Sequence, residues 1–133
     1  FDFSGKRVLL VEDQPLNVEV ARRLLEKKGF IVDVARNGLE AVTKFSSTQD
    51  SFYDAILMDV RMPIMDGLSA ARRIRDLKKS GSREIPIIAM TANVYEDDLK
   101  KSKESGMNAH LGKPIEPDVL YKTLAEQLSK PTF

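Results

Sequence analysis

The sequence contains no cysteine, which removes disulfides, thiolate metal sites and cysteine nucleophiles together. Long apolar runs are missing as well. None approaches the roughly 18–20 residues of a membrane span, and no signal-peptide pattern opens the chain. Net charge is almost absent, +1 from 21 basic and 20 acidic residues, so the basic stripe of a nucleic-acid-binding domain is not expected. Internal repeats, low-complexity tracts and dividing linkers are also lacking. The 133 residues therefore read as one domain over the whole chain, with a core of about residues 6–129 and short terminal extensions. An apolar fraction of 42% is enough to build a real core. The first residue is Phe1 rather than Met, so a piece of a longer protein is expected. The piece itself reads as cytoplasmic, without membrane contact, even if its parent is membrane-anchored.

What is present is a regular alternation of short apolar runs and helical stretches. Arg7-Val8-Leu9-Leu10-Val11 forms a first strand. A helix is expected from Pro15, with Leu16, Val20, Ala21, Leu24 and Leu25 on one apolar face and Gly29 at its end. Phe30 to Ala35 is an alternating second strand, and Asn37 caps a helix carrying Leu39, Ala41, Val42 and Phe45. Ala55 to Met58 is the third strand; the helix after Asp66-Gly67 carries Leu68, Ala71, Ile74 and Leu77. Ile85 to Met90 forms strand four, followed by a polar helix over Val94 to Ser105. Ala109-His110-Leu111 is a short fifth strand, and the last helix runs from Pro117 to Leu128 with Val119, Leu120, Leu124 and Leu128 apolar. This order predicts an α/β fold, a flavodoxin-like (βα)5 three-layer sandwich with a parallel five-stranded sheet in the order 2-1-3-4-5.

Ligands of such sheets bind beyond the carboxyl ends of the strands, and the polar residues follow those ends. Glu12 and Asp13 come after strand one, Asp59 ends strand three, Thr91 follows strand four, and Lys113 with Pro114 follows strand five. Singly these residues have ordinary readings. An acidic residue there is a turn former, Thr91 a helix cap, Lys113 a solvated charge, and Pro114 a strand terminator or the site of a cis bond. Jointly they converge on one crevice. Three carboxylates repel one another, and a hard divalent cation with oxygen ligands relieves that repulsion. A carboxylate is a nucleophile toward phosphorus. A metal and the Lys113 ammonium would neutralise two phosphoryl oxygens, and the Thr91 hydroxyl with backbone amides would hydrogen-bond the third.

Four stretches carry a resemblance: Val8 to Asp13, Met58 to Gly67, Met90-Thr91-Ala92 and Gly112-Lys113-Pro114. In these the chain resembles the receiver domains of two-component response regulators. Glu12 to Asn17 and the methionine-rich loop after Asp59 resemble most those attached to hybrid histidine kinases. The resemblance implies Mg²⁺-dependent phosphorylation of Asp59, with Mn²⁺ able to substitute. Glu12, Asp13, Asp59 and the backbone carbonyl of Arg61 are then the metal ligands. Lys113 and Thr91 assist catalysis, Thr91 and His110 form the switch, and Arg61 and Asn93 tune phosphoryl lifetime. It implies as partners a histidine kinase domain or a histidine phosphotransfer protein. His110 is the only histidine and belongs to the receiver's own fifth strand, so the donor phosphohistidine is expected elsewhere. It stands where the family usually has Tyr or Phe. It is either a half-exposed strand residue or a ring that turns with Thr91 and couples the switch to acidity. Leu16 and Val20 are either core residues or part of the donor's docking surface.

Other functions fit less well. A haloacid-dehalogenase-type phosphohydrolase needs a second Asp two residues after the nucleophile, where this chain has Arg61. A nucleotide or flavin binder needs a glycine-rich loop after strand one, where Glu12-Asp13-Gln14 stands. A degenerate receiver acting only as an interaction module is opposed by the full set of key residues, and a stand-alone response regulator stays open.

Overall fold

The computed structural model describes residues 1–92 and 96–129. Its elements are β1 (Arg7–Val11), α1 (Pro15–Lys27), β2 (Ile31–Ala35), α2 (Gly38–Ser47), β3 (Ala55–Asp59), α3 (Gly67–Asp76), β4 (Ile87–Thr91), α4 (Glu96–Glu104), β5 (Ala109–Gly112) and α5 (Pro117–Leu128). The strands form one parallel sheet in the order β2-β1-β3-β4-β5, the predicted order.

Alternate residues of a strand face opposite sides, and here both sides are covered. Val8 and Leu10 of β1, Leu57 of β3 and Ile88 and Met90 of β4 meet Val18, Ala21 and Leu25 of α1 and Leu120, Tyr121 and Leu124 of α5. Leu9 and Val11, Ile56 and Met58, and Ile87 and Ala89 meet Ala41 and Phe45 of α2 and Ala70, Ala71 and Ile74 of α3. The Tyr121 hydroxyl donates to the Leu24 carbonyl at 2.7 Å and ties α5 to α1. Phe3 is buried and stacks on Phe30 at 4.7 Å, closing the amino-terminal end of that layer.

Helical periodicity does not mark the core at every position. Leu16 is 75% exposed, Val20 49%, Leu39 47% and Val119 47%, so none is the core residue its spacing suggested. Leu16, Leu39 and Val119 each lie in the first turn of a helix that follows a strand. In the same turns Val18, Gly38 and Leu120 are buried, so the side of the turn that faces the sheet, not the turn as a whole, decides burial. Val18, absent from the expected face, is buried instead. The alternation expected of β2 is also blurred. Ile31 is exposed and Val32, Asp33 and Val34 are half-buried, because this strand is at the sheet edge. β4 starts after Pro86, which has no amide hydrogen for a ladder. Val94, expected to begin the fourth helix, lies outside the described residues.

α3 begins with a position that only glycine fits. A Cβ on Gly67 would stand 2.2 Å from the Asp59 carbonyl oxygen, and the Gly67 amide donates to the Val60 carbonyl at 2.9 Å. In a free helix Gly→Ala stabilises by about 1 kcal/mol. Here Gly67→Ala is expected to destabilise by about 2–3 kcal/mol in urea unfolding followed by circular dichroism, whereas exposed Arg72→Ala stays within about 0.5 kcal/mol.

Candidate functional site

The strand registers bring the polar residues to one edge. Val11 pairs with Met58, Asp59 with Met90 and Thr91 with Gly112, so the residues at and just beyond these positions share a crevice. Glu12 leaves β1 with its amide bonded to the Ala35 carbonyl at 3.0 Å. Its carboxylate is buried. Oε1 accepts from the Gln14 amide at 3.2 Å and from Asn17 Nδ2 at 3.5 Å. Oε2 accepts from Lys113 Nζ at 2.9 Å. Lys113 also donates to Asp59 Oδ2 at 2.8 Å, while the Arg61 amide donates to Asp59 Oδ1 at 3.2 Å. One ammonium thus joins the ends of β1 and β3 to the loop after β5.

Lys113 is fixed from behind, its amide donating to the Thr91 carbonyl at 2.9 Å, and the Lys113–Pro114 bond is cis. Thr91 is itself buried at the end of β4. The loop between β3 and α3 closes the crevice on the other side. Asp66 caps α3 by accepting from the Ser69 amide at 2.8 Å, and the Met65 carbonyl accepts from the Gly38 amide at 2.9 Å. Ile64 sits at the tip with φ of 70° and is 78% exposed.

Burial pushes the Asp59 carboxyl above its usual range, and the Glu12 charge adds to this against the pull of Lys113. For Glu12 burial also acts upward, but Lys113 and the Gln14 amide outweigh it and hold this carboxyl below its usual range. Burial likewise works against the Lys113 charge, yet its bonds to Asp59 and Glu12 hold the ammonium above its ordinary range. The two carboxylates share one cation and titrate as a unit, with Asp59 the preferred place for a proton.

Glu12, Asp13 and Asp59 each bring a carboxylate oxygen within 4.8 Å of the others. Asp13 is only half-buried, so this side of the crevice opens to solvent. The donors are all hard oxygens, the set that suits a divalent cation such as Mg²⁺. The structure therefore brings together Glu12, Asp13, Asp59, Thr91 and Lys113, with Arg61 exposed beside them. His110 is exposed on β5. Asn93 lies outside the described residues. Asn17 closes the Glu12 to Asn17 stretch of the resemblance, which gives it no site role; the structure places its amide on Glu12. Beside the site a groove of about 220 Å³ runs between α1 and the segment after β5, lined by Leu16, Asn17, Val20, Lys113, Pro114 and Ile115 among others. Leu16 and Val20, taken in the sequence as either core or docking residues, belong to this surface.

The model of the response regulator receiver domain family matches residues 8–125. The chain is 38% identical over 127 residues to hybrid signal transduction histidine kinase I of Dictyostelium discoideum, covering 94% of this chain and 7% of that protein. It is 34% identical to histidine kinase 5 of Arabidopsis thaliana, covering 94% of this chain and 16% of the relative. The chain thus spans a small part of the curated relatives it matches. Among solved structures it is similar to the receiver domain of a sensor histidine kinase from Pseudomonas aeruginosa, with a TM-score of 0.85 and 38% identity over 96% of this chain and 100% of that one. That relative holds a magnesium ion in its active-site cleft. With the sheet order, the carboxylate trio and the lysine at its edge all in agreement, the chain belongs to the response regulator receiver domain family.

Proposed function

We propose that this domain accepts a phosphoryl group on Asp59 from a phosphohistidine of a partner kinase or phosphotransfer domain, as part of a hybrid histidine kinase. The observation that carries it is the placement of the Asp59 carboxylate between Lys113 and two further carboxylates at the sheet edge. One Asp59 oxygen attacks phosphorus while the phosphorus–nitrogen bond breaks, and the electron pair leaves with the imidazole. The Arg61 amide on Oδ1 and Lys113 on Oδ2 fix the carboxylate before attack. Lys113 then serves an oxygen of the new phosphoryl group while retaining Glu12, and the Thr91 hydroxyl serves another. Glu12, Asp13, Asp59 and the Arg61 carbonyl would hold Mg²⁺ or Mn²⁺, which supplies charge neutralisation when bound.

The donor's approach is supported by the exposed apolar residues Leu16, Leu39, Ile64 and Val119, which stand around a charged crevice. A partner seated on that collar buries apolar surface and excludes water from the reacting atoms. The relatives favour a hybrid-kinase parent over a stand-alone regulator. Arg61 flanks the attack site and is a candidate for tuning phosphoryl lifetime, as is Asn93. His110 on β5 is the candidate switch partner of Thr91.

Two experiments test the reading. Incubation with acetyl phosphate or beryllofluoride and Mg²⁺ is expected to give an adduct seen by mass spectrometry or fluorine NMR. Asp59→Asn should abolish it, and Asp13→Ala should weaken metal affinity on the order of 10–100-fold. A receiver that yields no adduct under any of these conditions acts only as an interaction module. The second experiment uses pH. Asp59 has a raised folded pKa, so its contribution to stability is complete below the unfolded value of about 4 and is lost as pH rises through the folded value. In metal-free protein the stability of Asp59→Asn relative to wild type should therefore increase from pH 4 to pH 7, as read by urea unfolding. A flat or falling difference would contradict the electrostatics. Added Mg²⁺ should stabilise wild type more than the variant near neutral pH.

A further inference from the structure

The near-zero net charge of the chain conceals an uneven distribution. Residues 72–83 hold six basic side chains and one acidic one, +5 in a chain whose total is +1, which leaves −4 for all the rest. The segment runs from the middle of α3 into the loop before β4. That loop lies at the amino edge of the sheet, away from the Asp59 crevice at the carboxyl edge.

The six cations divide by what they touch. Arg75 and Lys79 turn onto backbone oxygens. Arg75 Nε and Nη2 donate to the Gly106 carbonyl at 3.0 and 2.7 Å, and Nη1 to the Ser82 carbonyl at 3.1 Å. Lys79 Nζ donates to the carbonyls of Phe45 and Thr48, the latter at 2.6 Å. Arg72, Arg73, Lys78 and Arg83 are exposed, and among the described residues none of them forms an ion pair. On α1, by contrast, Arg22 and Arg23 both close on Glu19, at 2.5 and 2.9 Å.

The four outward cations stand on a fixed frame. The Ser82 hydroxyl donates to the Leu77 carbonyl at 2.7 Å, the Ser82 amide to the Lys79 carbonyl at 3.1 Å, and the Ile85 amide to the Gly81 carbonyl at 2.9 Å. Ser82 is buried, and Arg75 and Lys79 tie the loop to its neighbours. Binding here therefore orders little backbone and loses little entropy. Three of the four are guanidinia, whose forks match the paired oxygens of carboxylates and phosphates.

Two acidic side chains decide between those anions. Asp76 and Glu84 are exposed in and beside the segment. A nucleic-acid duplex or an anionic bilayer is negative throughout and meets both repulsively. An acidic protein surface can set basic side chains opposite them. The segment has no aromatic residue on which a base could stack. Its apolar residues Ile74 and Leu77 are buried and half-buried, so nothing apolar is offered to lipid chains.

We propose that the outer face of α3 and the loop after it, centred on Arg72, Arg73, Lys78 and Arg83, dock an acidic protein segment. The surface is separate from the Asp59 crevice and requires no phosphoryl chemistry.

The test is titration of this chain with a synthetic glutamate-rich peptide carrying a few lysines. A DNA duplex and phosphatidylserine vesicles at equal total charge are the comparisons. By NMR, peptide-induced shifts should centre on residues 72–83. Affinity should fall on the order of tenfold from low to physiological salt. Arg73→Glu with Arg83→Glu should lower it on the order of tenfold or more. Arg72→Lys, Arg73→Lys and Arg83→Lys together keep the charge and should still weaken binding several-fold, because an ammonium cannot make the paired bonds. Asp76→Asn with Glu84→Gln should strengthen duplex and vesicle binding more than peptide binding. Shifts spread evenly over every basic residue, or a double charge reversal that leaves affinity unchanged, overturn the surface. Duplex or vesicles binding more tightly than the peptide overturn the partner's class. Circular dichroism checks the fold of each variant; should the double reversal not fold, the triple lysine variant decides.

Discussion

One ammonium holds together an arrangement that would otherwise repel itself. Lys113 lies 2.9 Å from Glu12 and 2.8 Å from Asp59, and both carboxylates are almost wholly removed from water. Taking such charges out of water is costly unless they are paired and hydrogen-bonded. The lysine offsets two carboxylates with one charge; burial first, and the Glu12 charge second, leave Asp59 with a raised affinity for protons. With Asp13 the two carboxylates make a set of hard oxygens of the kind that suits a divalent cation. Structure and chemistry thus share a cause: a sheet edge that gathers more anions than its own cation neutralises.

Much of this was legible because a parallel sheet writes its layout into the chain. Strands buried on both faces appear as continuous apolar runs, and the residue after each run lies at the carboxyl edge. Glu12, Asp59, Thr91 and Lys113 were all locatable by that rule. Helix boundaries marked by local chemistry also read well. Asn37 caps α2 by accepting from the Glu40 amide, and α5 runs from Pro117 to Leu128 as its proline and spacing suggest.

What was not legible has physical reasons. Periodicity groups residues on a helix face but does not fix how that face is turned toward the sheet, so Leu16, Leu39 and Val119 looked like core. Arg75 and Lys79 gave no signal because most of their acceptors are backbone carbonyls, which every residue has. Lys79 bonds the carbonyls of Phe45 and Thr48 and so closes the carboxyl end of α2, a favourable place for a cation. In the sequence both are merely basic residues in a basic stretch. Asn17 was hidden for a related reason. Its partner Glu12 is five residues away, too far for a local motif and visible only once α1 folds back over the strand end.

Among the described residues the helices differ in what anchors them to the sheet. Burying one Leu or Ile contributes about 1.5–3 kcal/mol. α1 has Leu25, α3 has Ile74 and α5 has Leu120 and Leu124 fully buried. α4 has no comparable anchor among the described residues, and its buried Ser102 bonds to its own helix. A response to chemistry at Asp59 needs some element whose two positions differ little in energy. A helix packed on leucines cannot supply that, because displacement would expose the apolar surface that holds it. Among the described residues the carboxyl end of α4 is held instead by a polar tie, the Arg75 guanidinium on the Gly106 carbonyl.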